Sequence, residues 1–315
     1  MSSTTTTDPV ITSGSASAPA DQREAFYGLL PRLLADDDRL VVVLAAVGAG
    51  YLDVPEELAG RVVDVGIREQ LLVSTAGGLA LTGLRPVVHT FPPFLVERPF
   101  EQVKLDLGHQ GVGAVLVSAG GSYGWPAGGA THFGPRDVAL LDTLDGWTVH
   151  APGHPAEVEP LLRRAVAGDD RVYLRLDPTS NARPADVTDD RWRVVREGGC
   201  GLVVAVGPVL DRVLAATEGL DVAVLHAVTV RPVDAAALRA AAHVPEVVLV
   251  EPWLRGTSSH LVAEALRDRP LRLLALGVDR AEHRAYGEVA DHDRLHGLDV
   301  AGLRRSVQGF VAAQR

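Results

Sequence analysis

Apolar runs of five to seven residues, almost unbroken by polar side chains and separated by helix-length segments, recur along this 315-residue chain. Leu40–Ala46, Val112–Ser118, Leu202–Val206, Glu246–Val250 and Leu271–Leu276 are the clearest. A strand wetted on one face alternates polar and apolar residues, whereas one buried on both faces does not. The pattern therefore predicts mainly parallel sheets with helices on each side. That is an α/β architecture of doubly wound domains.

Two such domains are expected. In the first, helices are predicted at Arg23–Leu34, Gln70–Thr82, Phe100–Leu107, Pro135–Leu144 and Pro155–Ala167, interleaved with strands that end at Val172–Leu176. From Asp177 to Arg193 prolines, aspartates and threonines interrupt the alternation. The division predicted is a disordered tail at 1–20, a domain at 21–180, a linker at 181–195 and a smaller four-stranded domain at 196–315.

Residues 1–20 are Ser/Thr/Ala-rich and have neither the basic start nor the apolar centre of a secretory signal. The longest apolar run, Leu40–Gly50, falls short of the roughly 20 residues that span a bilayer. A net charge of -10 argues against nucleic acid as a partner. Cys200 stands alone, so no intrachain disulfide is available. Together these features predict a cytoplasmic protein that binds neither membrane nor nucleic acid.

Glu69 is the residue that points to chemistry. It opens the apolar, glycine-rich segment Leu71–Ala80 directly after the short strand Arg61-Val62-Val63. A segment so apolar belongs in an interior, so the carboxyl group is expected to be at least half buried. Burial disfavours its charged form and suits sharing a proton with a weakly basic ligand nitrogen. Taken alone, a Glu in a first helical turn is more often a cap or a dipole partner.

Its context narrows the reading. Gly66-Ile67-Arg68-Glu69-Gln70, Ala76-Gly77-Gly78-Leu79-Ala80 and Gly83-Leu84-Arg85-Pro86-Val87 come first. Phe91 and Phe94, then Arg98 with Glu101-Gln102, and Thr131-His132 follow in order. These resemble the pyrimidine-binding domain of transketolase-like thiamine-diphosphate enzymes. Gly207, Arg231-Pro232-Val233-Asp234 and Val250-Glu251 resemble their carboxy-terminal domain, so the likeness covers roughly residues 20 to 310.

The resemblance implies thiamine diphosphate as cofactor and assigns roles. Glu69 would hydrogen-bond N1′ of the aminopyrimidine, Phe94 (favoured over Phe91, on a one-residue insertion before Gln102) would stack on that ring, and Ile67 would join the same cofactor pocket. His132 would face the reacting carbon and the donor carbonyl. Phe133, Arg98 and Arg175 would bind small-molecule substrate.

The resemblance also has gaps. The Gly-Asp-Gly motif and downstream Asn that hold the diphosphate and Mg2+ are missing; Gly168-Asp169-Asp170 is the nearest string. No metal ligand is therefore assigned to this chain. A diphosphate-binding transketolase N-terminal subunit would supply the Mg2+ site, giving a split transketolase, an α2β2 heterotetramer with a β–β contact. Gly128 stands where the family has an Asp that binds substrate, Phe133 where it has a Gln, and Pro178 and Ser118 where it has arginines. Losing two guanidinium groups removes bidentate phosphate recognition. Transfer of a two-carbon ketol unit between a ketose-type donor and an aldehyde-type acceptor is implied, with less polar or unphosphorylated substrates. The β subunit of a 2-oxoacid dehydrogenase E1 component and a non-catalytic interaction subunit are the rival readings. The remaining histidines, His283 and His296 among them, show no paired ligand spacing, and Trp253 and Tyr286 are candidates for subunit contact.

Overall fold

The structure, a computed structural model, describes residues 21–48, 50–281 and 283–312; the tail expected at 1–20 lies outside them. Among the described residues there are twelve strands in two sheets. The first sheet contains β1 (Leu40–Leu44), β2 (Val62–Asp64), β3 (Arg85–Thr90), β4 (Val115–Ala119), β5 (Trp147–His150) and β6 (Arg171–Leu176). The second contains β7 (Arg193–Arg196), β8 (Leu202–Val206), β9 (Ala223–Ala227), β11 (Glu246–Leu254) and β12 (Arg272–Val278). β10 (Thr229–Arg231) follows β9 in sequence but joins the first sheet. The orders are β10-β5-β6-β4-β3-β1-β2 and β12-β11-β8-β9-β7. Only the edge pairs β10–β5 and β7–β9 are antiparallel. Every residue of β1, β3, β4, β8 and β11 is buried, including the polar Arg85, His89, Thr90, Glu246 and Glu251 that interrupt the apolar runs of β3 and β11.

Strand order positions the site. β2 lies on one side of β1 and β3 on the other, so the winding reverses at β1. Open α/β sheets form a crevice at the carboxyl ends of the strands where this happens. The loops leaving β1, β2 and β3 carry residues 45–48, 65–69 and 91–98 into that crevice.

The two halves are less separable in space than along the chain. Thr229 of β10 pairs with His150 of β5, and the indole nitrogen of Trp192 donates to the Thr229 carbonyl at 2.7 Å. One apolar cluster includes Leu72 and Leu116 from the first half and Leu202 and Val247 from the second.

The helix from Glu69 to Leu81 confirms the segment predicted at Gln70–Thr82. It packs backbone to backbone: a Cβ on Gly77 would stand 2.5 Å from the Asp106 carbonyl. The helix expected at Phe100–Leu107 departs from prediction. Only Phe100–Gln102 is α-helical, flanked by wide π-turns at Pro93–Glu97 and Val103–His109. Arg98 N–H donates to the Pro93 carbonyl at 2.9 Å, five residues back. Such a turn accommodates one extra residue and commonly marks a functional site. It lies in the interval between Phe94 and Gln102 where the insertion was inferred.

Candidate functional site

Glu69 begins its helix and is only 2% exposed. Its Oε2 accepts from Arg98 Nη1 at 2.8 Å, while Oε1 has no hydrogen-bond partner among the described residues. A buried carboxylate needs such compensation, and the guanidinium supplies it. The Arg98 guanidinium also lies 4.1 Å from the Phe94 ring centroid.

Phe94 meets the His132 ring edge-on at 5.1 Å. His132 packs likewise against Trp125 at 4.7 Å and Phe91 at 5.9 Å, and Phe91 and Trp125 stack at 5.5 Å with an interplanar angle of 11°. Glu69, Arg98, Phe94, His132, Trp125 and Phe91 thus form one continuous wall. Ile67 is 74% exposed and lines the adjoining cleft of about 530 Å³, with Arg23, Gly48, Tyr51, Phe91 and Trp125.

His132 lies on a short helical turn after Gly128-Gly129. Its Nδ1 is 3.1 Å from the Gly128 carbonyl. Thr131 Oγ1 lies 3.0 Å from the same nitrogen, so Nδ1 either donates to the carbonyl or accepts from the hydroxyl, and Nε2 has no hydrogen-bond partner among the described residues. The glycine that replaces the family's acidic residue has a steric reason. A Cβ on Gly128 would lie 2.6 Å from Trp125 and 2.9 Å from the His132 ring.

Two expected substrate residues lie elsewhere. Arg175 is 1% exposed; its Nε donates to Asp137 Oδ2 at 2.7 Å and its Nη2 to Ser122 Oγ at 2.8 Å, with Trp253 5.4 Å away. Tyr173 joins Asp137 to Ser118 in the same buried network, with both bonds at 2.7 Å. Arg175 is therefore a cross-brace beneath the loop, with its guanidinium committed to internal partners. Phe133 turns away from His132 and packs on Tyr123 and His292, 6.5 and 5.0 Å between centroids.

Sequence patterns gave no notice of Arg23. It lies in the first turn of the helix Gln22–Asp36, over Tyr51 at 4.8 Å and Phe91 at 5.9 Å. Its Nε is buried without a hydrogen-bond partner, and no carboxylate pairs with it among the described residues. Nearby His89 is fully enclosed; burial, reinforced by the Arg23 charge, pushes its pKa down to about 3. Its Nδ1 donates to the Val117 carbonyl at 2.8 Å, a core role. Burial raises the Glu97 carboxyl to about 6.

The fold also gathers three donors that the sequence spacing did not pair. Asp279, His283 and His296 have potential ligand atoms within 4.8 Å of one another. His296 Nδ1 accepts the Asp279 backbone N–H at 3.2 Å, and Asp279 Oδ1 pairs with Arg255 at 3.0 Å. These bonds secure the segment against the second sheet. Donors around a tetrahedral zinc lie closer, about 3.3 Å apart at ordinary bond lengths.

A buried acid with one unoccupied oxygen, an aromatic face beside it and an exposed aliphatic rim fit an aminopyrimidine, which has a nitrogen-bearing edge and flat faces. The comparisons agree. Residues 18–183 match the family described as transketolase, pyrimidine binding domain, and the chain belongs to that transketolase family, whose members use thiamine diphosphate.

An uncharacterized 33.6 kDa protein in the fasciation locus of Rhodococcoides fascians is 49% identical over 297 residues, covering 92% of this chain and 95% of its own. The 6-deoxy-6-sulfo-D-fructose transketolase subunit SqwH of Clostridium sp. is 29% identical, with 87% and 88% covered. Among solved structures, a split gene transketolase described as an inactive beta4 tetramer matches with a TM-score of 0.79 at 24% identity. The match covers 94% of this chain and 99% of that one, a likeness of fold. The chain spans about half the length of the 1-deoxy-D-xylulose-5-phosphate synthases it matches, 49% in one case. Among the described residues no helix is long and apolar enough to cross a membrane.

Proposed function

We propose that this chain is the pyrimidine-binding subunit of a two-chain, thiamine-diphosphate-dependent transketolase, moving a two-carbon ketol unit from a ketose-type donor to an aldehyde-type acceptor. The observation that carries this reading is the contact of buried Glu69 with a wall that also holds Phe94 and His132. Bound thiamine diphosphate supplies the carbanion chemistry.

The chain's own contribution is orientation and proton management. Glu69 hydrogen-bonds the pyrimidine nitrogen, Phe94 offers a stacking face and Ile67 an aliphatic one. His132 presents Nε2 to the substrate's oxygens, where an imidazole nitrogen can accept or donate a proton. Arg23 narrows the substrate expectation. Ser118 and Pro178 remove two cations, leaving Arg23 as a guanidinium on a cleft that Asp21 and Asp177 also line, in keeping with a substrate that is not a sugar phosphate.

The diphosphate and Mg2+ are assigned to a partner subunit, in keeping with the missing Gly-Asp-Gly motif and with relatives of similar length described as a subunit and a split gene product. Ile67, Leu71, Leu81 and Leu105 expose apolar side chains near or on the Glu69 helix, which supports a β–β contact within an α2β2 assembly.

Reconstitution tests the reading. The chain should be purified with a partner of similar size bearing Gly-Asp-Gly, then assayed with ketose donors and aldehyde acceptors. Two-carbon transfer that needs both chains, thiamine diphosphate and Mg2+ is expected. Transfer to a lipoyl carrier instead would favour the E1 reading, and cofactor binding without turnover the non-catalytic one.

A further inference from the structure

We propose that Arg98 is an internal occupant of the pyrimidine slot, displaced when the coenzyme ring enters. This rests on the reading of Glu69 and Phe94 above and reassigns the substrate role given to Arg98 by resemblance.

Three observations locate it. Arg98 Nη1 donates to Glu69 Oε2 at 2.8 Å, the carboxylate expected to meet the ring nitrogen. The same guanidinium lies 4.1 Å from the Phe94 centroid, the face expected to stack on that ring. An arginine head and an aminopyrimidine are both planar with a π face, and each can bring an N–H to the carboxylate, the ring once its nitrogen shares a proton with Glu69. With the guanidinium on both Oε2 and the Phe94 ring, a coenzyme ring can take those two contacts only after Arg98 leaves them.

The side chain is suited to leaving. It is 41% exposed, whereas its carboxylate partner is 3% exposed, so the arginine can swing into solvent while the acid stays fixed. Its backbone lies at the end of the wide turn, anchored through Arg98 N–H to the Pro93 carbonyl at 2.9 Å, so only the side chain need move. The occupant has a use. With the slot empty, Glu69 would be a buried unpaired charge, which is strongly destabilising. Arg98 keeps the unloaded subunit stable and lowers the apparent coenzyme affinity by the fraction of molecules in which the slot is filled.

The test uses the full chain and its Arg98→Ala variant, with thermal midpoints measured against methylguanidinium and against thiamine. The wild-type chain should not respond at millimolar ligand, whereas Arg98→Ala should melt lower and recover with either compound. The Glu69→Gln/Arg98→Ala double variant should lose that response. Should Arg98→Ala fail to fold, Arg98→Lys keeps the charge without the flat face and is expected to respond to thiamine. Silence of the folded single variants, or an equal response from wild type, overturns the proposal. In the reconstituted pair, Arg98→Ala should bind thiamine diphosphate about tenfold more tightly. Equal affinity in both forms would defeat the occupant role alone, whereas no binding by either would defeat the transketolase reading.

Discussion

Gly128 faces the indole of Trp125 so closely that a single added methyl group would stand 2.6 Å from Cε3. The loop that presents His132 is therefore shaped by an aromatic ring filling space that a side chain at 128 would otherwise claim. Gly128→Asp, which restores the residue type of the resemblance, should destabilise the chain by about 1–3 kcal/mol through overpacking. Adding Trp125→Ala should recover part of that loss, because the clash is with the ring. Urea denaturation of the single and double variants measures both effects.

Arg175 gives a contrast between brace and ligand. Its ion pair with Asp137 is enclosed, with side-chain exposures of 1% and 0%. Breaking such a pair leaves an uncompensated charge and should cost about 3–5 kcal/mol. Arg175→Met and Asp137→Asn should be similarly destabilising, and the double variant less so than their sum. An Arg175→Met chain as stable as wild type would return this residue to the list of substrate ligands.

Glu97 makes a prediction about pH. Its carboxyl titrates near 6 in the folded chain, raised from 4.5 chiefly by burial, with the Arg136 charge opposing and Asp137 adding to the rise. A raised folded value means that the protonated form is favoured on folding. Its stabilising contribution is complete below pH 4.5 and is lost as pH rises through 6. Glu97→Gln, which stays neutral, should be more stable than wild type at pH 8, with the advantage vanishing toward pH 4. A stability difference independent of pH would refute this.

What the sequence revealed divides along physical lines. β1, β4, β8 and β11 were legible because a strand buried on both faces must be apolar throughout. Thr229-Val230-Arg231 was not, because its pairing with β5 depends on a contact about eighty residues away, with no local signature. The wide turns from Pro93 to His109 escaped notice because an i→i+5 bond needs the same residue types as an α-helix. Glu69, Phe94 and His132 could be found from their motifs, and the fold brings them together. Arg23 could not, since one arginine in a first helical turn reads as surface. Arg175 was misread for the opposite reason: a charge in a strand looks the same whether it awaits a ligand or meets Asp137 thirty-eight residues away.

Glu69→Gln separates chemistry from architecture. The amide keeps the size of the side chain and can still accept from Arg98, so the chain should fold with little loss. It cannot carry the charge that favours a protonated ring nitrogen. In the reconstituted enzyme kcat should fall by about 10²–10⁴, the usual contribution of a positioned acid or base. The Michaelis constants should change far less, because Glu69 contacts cofactor and not substrate. A variant with kcat intact would mean that this buried acid only pairs with Arg98, and the site would then lie elsewhere in the cleft.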